Sequence, residues 1–324
     1  MNGPTTIVVI GALNTDIIAQ EITHFPEPGQ HVYGKKLVIG PGGKSRNMAT
    51  MMAKLMPKNS VAMVGRTIQD EYGIWKPPVT ALREAGVNTE SVRILPSSES
   101  DKLPSVVLIP VDKQGNNMLF ALPGISDDFS KQDIDDAEKL FDSTSHNRGL
   151  LVLSMECPLE TARHAVRKAN AKGIRAALDP GGITSDVKID ELIAEGLFLI
   201  KPNEHETKVI TGIEVTGLET ATKAATKLQK MGAKNVLITV GPKGAYLFAS
   251  GERTHIPAPV VGSSGQKDAT GCGDQTMAAL CAFLQTDKSL KKAAEMAVAA
   301  GTLQFKRAGI QPLDKQEITT VISS

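Results

Sequence analysis

Six short runs rich in Val, Ile and Leu recur along the chain, each closed by Gly, Pro, Asn or Asp or leading into such residues. They are TIVVIGAL (6–13), SVAMVGR (60–66), GLLVLSM (149–155), IRAALD (174–179), LFLIKPN (197–203) and NVLITVG (235–241). None alternates apolar with polar residues, which is the pattern of strands buried on both faces. The segments between them carry helical spacing. In PLETARHAVRKANAK (158–172), Leu159, Ala162, Ala165, Val166 and Ala169 mark one face, and ETATKAATKLQKMG (219–232) closes on a glycine suited to a helix C-terminus. Strands alternating with amphipathic helices predict an α/β fold with a mainly parallel central sheet covered by helices on both faces. The rhythm is strongest from about 149 to 241.

Two segments break it. IIAQEITHFPEPGQHVYGKKLVIG (17–40) and PSVVLIPVDKQGNNMLFALP (104–123) carry strand-like runs, the second folded about a DKQGNN turn. They read either as surface hairpins or as strands that leave the main sheet to pair as a small second sheet, a lid or an interface. No repeat, low-complexity tract or long linker divides the chain, so residues 1–324 are read as a single domain.

Composition narrows the function classes. With 324 residues, 41% of them hydrophobic, the chain can bury a sizeable core. Lys and Arg number 36 against 35 Asp and Glu, and no basic block stands out, so a nucleic-acid partner is not expected. Cys157, Cys272 and Cys281 show no CxxC spacing, which predicts a reducing compartment and neither a disulfide framework nor a zinc site. The six histidines include no HExxH. The N-terminal stretch lacks a basic n-region, and Asn14 and Asp16 interrupt its apolar run, so neither a signal peptide nor a membrane anchor is expected. No run approaches the ~18 apolar residues of a spanning helix. A soluble cytoplasmic protein is the expectation.

Several stretches combine structure with chemistry. In VVIGALNTD (8–16) a buried strand runs out into Asn14 and Asp16, at the strand end where parallel sheets bind ligands. Donors and acceptors of that kind suit a polyhydroxylated ligand, although an Asx turn would use the same residues. In IGPGGKSRNMATMMAKL (39–55), Gly43-Lys44-Ser45 invites a Walker A reading, which fails because position 38, where a glycine is needed, is Val. What remains is a double glycine, then Lys44 and Asn47, opening an apolar helix. It is either a plain glycine turn or a hydrogen-bonding cradle. In IKPNEHETKVITG (200–212), Asn203 with Glu206 three residues on fits a helix capping box, though that box ordinarily starts with Ser or Thr. The same pair could hold magnesium through water. LITVGPKGAYLF (237–248) offers a strand-to-turn element, Thr239 to Gly244, able to lie against a nucleotide.

The stretch KDATGCGDQTMAAL (267–280) is the most informative. After Asp274, residues Met277, Leu280, Cys281 and Leu284 fall on one helical face, so a helix begins within GCGD. Free amides of Gly271, Cys272 and Gly273 would form an anion site at its positive end. A carboxylate there could simply cap the helix. Capping, however, does not need Gly-X-Gly in front of it, whereas a transferring phosphoryl group needs exposed amides. Asp274 would then face the attacking hydroxyl and accept its proton as charge develops.

Taken together, GALNTD, GPGGKSRNMA, KPNEHE and DATGCGD resemble, in order and approximate spacing, the motifs of the ribokinase-like, or PfkB, family of carbohydrate and nucleoside kinases. The match covers about residues 6 to 313. The resemblance implies a Rossmann-like three-layer α/β sandwich with a small β-sheet lid, made from the two segments that break the rhythm. It implies ATP-dependent transfer of the γ-phosphoryl group to a primary alcohol, with Mg2+. Asp274 resembles the family's catalytic base, and Gly271, Cys272 and Gly273 its anion hole. Asn14, Asp16, Gly43, Lys44, Asn47 and Glu156 resemble its sugar contacts. Asn203 and Glu206 match the element tied to nucleotide phosphate and to magnesium through water, and Thr239, Val240, Gly241, Pro242, Lys243 and Gly244 the nucleotide-binding turn. A potassium ion beside the anion hole would be held by Asp268, Thr270, Gln304, Arg307 and Gly309, mostly through carbonyls. Three positions depart from the family: Cys272 replaces alanine, Gln275-Thr276-Met277 replaces the usual run after the acid, and Leu313 stands where ribokinases often have serine near the potassium site. The GGK-x-x-N and MECPLE patterns favour a pentose such as ribose. Arg46-Asn47 resembles pseudouridine kinases, so a nucleoside kinase is the alternative, and a catalytically silent sugar-binding member of the fold a further one. An apolar strand pair such as 105–122 makes a homodimer through the lid an expected arrangement.

Overall fold

The computed structural model describes residues 5–144, 149–262, 267–286 and 288–323. Its strands are β1 (Ile7–Ile10), β2 (Asn14–Ile22), β3 (Lys36–Gly42), β4 (Val61–Ile68), β5 (Val92–Leu95), β6 (Val106–Asp112), β7 (Phe120–Leu122), β8 (Leu150–Ser154), β9 (Arg175–Asp179), β10 (Leu197–Ile200), β11 (Ala233–Thr239), β12 (Ala245–Ala249) and β13 (Glu252–Ile256). Nine of them form one sheet in the order β13-β12-β11-β10-β9-β8-β1-β4-β5. All six apolar runs lie in it as consecutive parallel neighbours, β11 to β4. The sheet is longer than those runs require. β5 extends one edge in parallel, and β12 and β13 extend the other as an antiparallel hairpin. β13 alternates and is largely exposed, as an edge strand can be, so it lacks the continuous apolar signal.

Alternation along β1 divides the core in two. Ile7 and Val9 pack on one side of the sheet with the helices Lys44–Leu55, Cys272–Leu284 and Leu290–Gln304. Val8 and Ile10 pack on the other with the helices Leu159–Ala171 and Leu218–Met231. The result is a three-layer sandwich with a mainly parallel central sheet. The helix Cys272–Leu284 differs from its expected single apolar face: every residue from Asp274 to Leu284 is buried. It lies between two other helices, and Gly301 lets one of them approach, since a Cβ there would meet Thr276 Oγ1 at 2.2 Å.

The two rhythm-breaking segments supply a separate four-stranded sheet, β3-β2-β6-β7, in which β2 pairs antiparallel with β3 and parallel with β6. β2 starts at Asn14, three residues earlier than the segment read from sequence. It therefore emerges directly from the end of β1 and carries Asn14 and Asp16 away from the main sheet. Register aligns Ile39, Ile17, Leu108 and Phe120 in one cross-sheet row. Ile39, Leu108 and Phe120 are exposed. Among the described residues no helix is long and apolar enough to cross a membrane.

Candidate active site

The site forms where the carboxyl ends of β1, β8, β9 and β10 meet the heads of two helices. The first head is the Gly42-Gly43 turn. Gly43, with φ 90°, precedes the helix Lys44–Leu55 and no side chain caps it. Beneath the turn Arg46 is buried, its Nε donating to Gly42 O at 3.1 Å and its Nη2 to Pro41 O at 2.5 Å. Burial pushes the guanidinium down to about 10, and the charge of Asp16 resists that. Gly42 makes room for Asp16, because a Cβ there would stand 1.9 Å from its Oδ1.

The second head is the turn before the helix Cys272–Leu284. Gly271 is left-handed, φ 73°, and again no side chain caps the helix. Asp274 does not cap it either. Its Oδ2 accepts from Asn47 Nδ2 at 2.7 Å, and its Oδ1 lies 3.7 Å from Lys44 Nζ. The Cys272 amide donates to Ala269 O at 3.2 Å. Among the described residues the amides of Gly271, Gly273 and Asp274 have no acceptor, so the free donors are shifted from the set read in the sequence: Cys272 drops out and Asp274 enters. Burial pushes the Cys272 thiol up to about 12, so it stays a thiol, and Sγ rests 3.6 Å from Asp268 O.

Glu156 joins the cluster from the end of β8. Its Oε2 accepts from the Lys44 amide at 2.7 Å, tying the strand end to the first helix head. Burial raises its carboxyl to about 7 and that of Asp16 to about 6. The charges of Asp274, Asp179, Glu156 and Glu206 hold the Lys44 ammonium well above the ordinary lysine range, Asp274 first among them.

Two members of the cluster escaped sequence reasoning. Lys201 and Asp179 are both buried and form an ion pair at 2.9 Å. Burial opposes the Lys201 charge, but Asp179 and Glu206 outweigh it and raise its pKa. A Cβ on Gly273 would lie 3.7 Å from Lys201 Nζ, so this ammonium stands directly under the uncapped turn. The available signal was that IRAALD and LFLIK each end an apolar run on a charged residue, and that adjacent parallel strands bring such ends together.

Asn203 and Glu206 form the reciprocal capping box: Glu206 N donates to Asn203 Oδ1 at 2.8 Å and Asn203 N to Glu206 Oε2 at 2.9 Å. Burial, then Asp179, raises the Glu206 carboxyl. The structural reading of the pair is thus realised. The charge of Asp179 acts on the Glu206 carboxyl across the site. Thr239 N donates to Pro202 O at 3.0 Å, which brings the Thr239–Gly244 turn against Asn203. Val240 N closes that turn on Gly244 O at 2.8 Å, and Gly241, Pro242 and Lys243 are exposed along it.

The remaining group sits behind the second helix head. Asp268 accepts from Thr270 N through Oδ1 and from Gly309 N through Oδ2, both at 2.8 Å. Gln304 Nε2 donates to Thr270 O at 3.3 Å and to Gly309 O at 2.5 Å. The Arg307 guanidinium is paired with Glu317.

Chemically, the cluster holds acceptors in excess. Among the described residues Asp16, Glu156, Asp179, Glu206 and Asp274 face the cations Lys44, Arg46 and Lys201. Hydroxyl groups, which donate without adding charge, are the complement such a site lacks. Uncapped amides nearby favour an anion. Acceptors suited to hydroxyls next to free amides suited to an anion, at the strand ends of an α/β sheet, are what phosphoryl transfer to a polyhydroxylated compound requires. The chain belongs to the pfkB family of carbohydrate kinases, whose model matches residues 4–316. It is similar to the ribokinase of Haemophilus influenzae, 26% identical over 306 residues that span 94% of each chain. It is also similar to the deoxyribokinase of Salmonella typhimurium, 27% identical over 94% of each. The fold superimposes on that of Arabidopsis thaliana ribokinase, solved with ribose and ATP, with a TM-score of 0.85 and 26% identity over 100% of both chains.

Proposed function

We propose that this carbohydrate kinase transfers the γ-phosphoryl group of ATP to the primary hydroxyl of a pentose, with ribose as the first choice. The observation that carries the reading is Asp274: a buried carboxylate at an uncapped helix head, held by Asn47 and faced by Lys44 from the helix beside it. In this reading the acceptor oxygen attacks the γ-phosphorus, its proton passes to Asp274, the bond to the β,γ-bridging oxygen breaks, and ADP leaves. The free amides of Gly271, Gly273 and Asp274 stabilise the equatorial oxygens as charge develops. Asn14, Asp16, Lys44, Asn47 and Glu156 hold the sugar hydroxyls, with Gly43 letting the ligand approach the backbone. Asn203 and the turn from Thr239 to Gly244 take the nucleotide. Glu206 holds magnesium through water, and the ion when bound neutralises phosphate charge.

Relatives of both ribose and deoxyribose specificity are about equally similar, so the acceptor has to be measured. The nucleoside alternative rested on Arg46-Asn47. Its support weakens because Arg46 is buried and occupied with the carbonyls of its own loop. ATP consumption with ribose, deoxyribose, fructose, adenosine and pseudouridine in parallel tests the reading. Turnover with ribose or deoxyribose is expected, and turnover with a nucleoside alone would overturn it.

The small sheet is read as a lid that also joins two chains. The row Ile39, Leu108 and Phe120 exposes apolar surface that a second copy would cover. A cytoplasmic location completes the reading, supported by three free cysteines.

A further inference from the structure

Among the residues that the family resemblance assigns to a potassium ion, a side chain stands between two of the carbonyls. Gln304 is completely buried, at the last position of the helix Leu290–Gln304. Its side-chain amide lies between the two carbonyls that a cation would bridge, 3.3 Å from Thr270 O and 2.5 Å from Gly309 O. The distances also decide which end of the amide faces them. Turned over, Oε1 would stand 2.5 Å from another oxygen with no proton between, closer than two ligands of one large cation sit. With Nε2 inward, each of its two N–H groups has one carbonyl, and Oε1 is left buried without a partner among the described residues. Leu313, the position where ribokinases often carry serine, is buried and apolar.

We infer that the Gln304 amide replaces the monovalent cation. It bridges segment 268–270 to segment 307–309 with two neutral hydrogen bonds and holds the turn that carries Gly271. What it does not supply is charge, and the Lys201 ammonium beneath Gly273 provides a fixed positive charge from the other side of that turn. Gln304 is thus a positioning residue, and the protein works without potassium.

The test compares KCl, NaCl and choline chloride at constant ionic strength, reading both thermal melting of the free protein and sugar turnover. The melting arm is independent of the proposed function, so a protein inactive on every sugar still answers it. The unaltered protein is expected to show the same melting temperature and the same kcat in all three salts. Gln304→Ala leaves two buried carbonyls unpaired and opens the space, so kcat is expected to fall roughly tenfold. Potassium and rubidium, but not lithium, should then restore it and raise the melting temperature of the variant. A saturable rise in melting temperature or kcat of the unaltered protein with KCl alone would overturn the proposal. So would a variant that is unimpaired, or one that is impaired and not rescued. If Gln304→Ala does not fold, the salt series on the unaltered protein decides.

Discussion

Gly43 and Gly271 hold corresponding stations. Each precedes a helix head with no side-chain cap, each has positive φ, and the two helices meet at Asp274, Asn47 and Lys44. Their surroundings differ. A Cβ on Gly43 would meet the Ala12 carbonyl oxygen at 2.8 Å and the Asn14 nitrogen at 3.2 Å, both backbone atoms of the passage from β1 into β2. A Cβ on Gly271 would meet only the tips of Ile310 and Met51, at 3.4 Å. The first glycine is required by packing as well as by conformation. The second is required by conformation alone, and leaves the amides near it open. The first helix starts with Lys44 and has no acid in its first turn; the second has Asp274 there. One turn is therefore a rigid floor held against backbone, and the other an open end with free amides and a carboxylate beside them, which suits the neutral acceptor and the anion of the proposed reaction.

The sharpest way to break that contrast is to remove the carboxylate proposed as the base. Asp274→Asn should lower kcat by about 10²–10⁴-fold while sugar affinity changes little, because the amide can still meet Asn47. Equal losses in kcat and in sugar affinity would make Asp274 part of the floor instead. Isothermal titration alongside steady-state kinetics separates the two outcomes.

Alanine at each glycine probes the packing difference. Both substitutions place a side chain at positive φ, at a cost of about 1–2 kcal/mol for the left-handed turn at Gly271 and about 1–3 kcal/mol at Gly43, whose ψ of 125° lies outside that region. Gly43→Ala adds a clash with fixed backbone and should destabilise by roughly 1–3 kcal/mol more. At about 2–4 °C per kcal/mol for 150–250 residues, and somewhat less for a longer chain, the melting temperature of Gly43→Ala should lie below that of Gly271→Ala. Equal melting temperatures would erase the distinction.

A smaller effect concerns the carboxylates of the floor. In the free protein Asp16 and Glu156 bind protons more tightly than in an unfolded chain, with burial the first cause. Their contribution to stability is therefore complete below ordinary carboxylate pKa values. It is lost as pH rises through about 6 and about 7. Sugar binding should run the other way, since ionised acceptors grip hydroxyls better. Between about pH 5 and about pH 8 the melting temperature should fall while the sugar KM improves. Glu156→Gln should flatten the upper part of the stability curve. A variant whose melting profile matches the parent would remove Glu156 from this linkage.

Much of this arrangement was legible before any coordinates. Continuous apolar runs identified six of the seven parallel strands, and the glycines ahead of Lys44 and Asp274 marked both helix heads. These are local signals, since periodicity and turn chemistry act over a few residues. The hairpin β12–β13 was less visible because an edge strand need not be apolar throughout. The Asp179–Lys201 pair was missed because a charged residue closing an apolar run looks like an ordinary strand end until its neighbour is known.

By itself the sequence determined the alternation of strand and helix, the two segments that leave the sheet, and the types of group available for chemistry. Tertiary structure alone decided that Asn47 reaches Asp274 across 227 positions, that Lys201 lies under Gly273, and that an amide occupies the space between Thr270 and Gly309. The physical reason is range. Backbone preference is set by near neighbours, whereas the partner of a buried polar group is set by which distant elements the core brings within hydrogen-bonding distance.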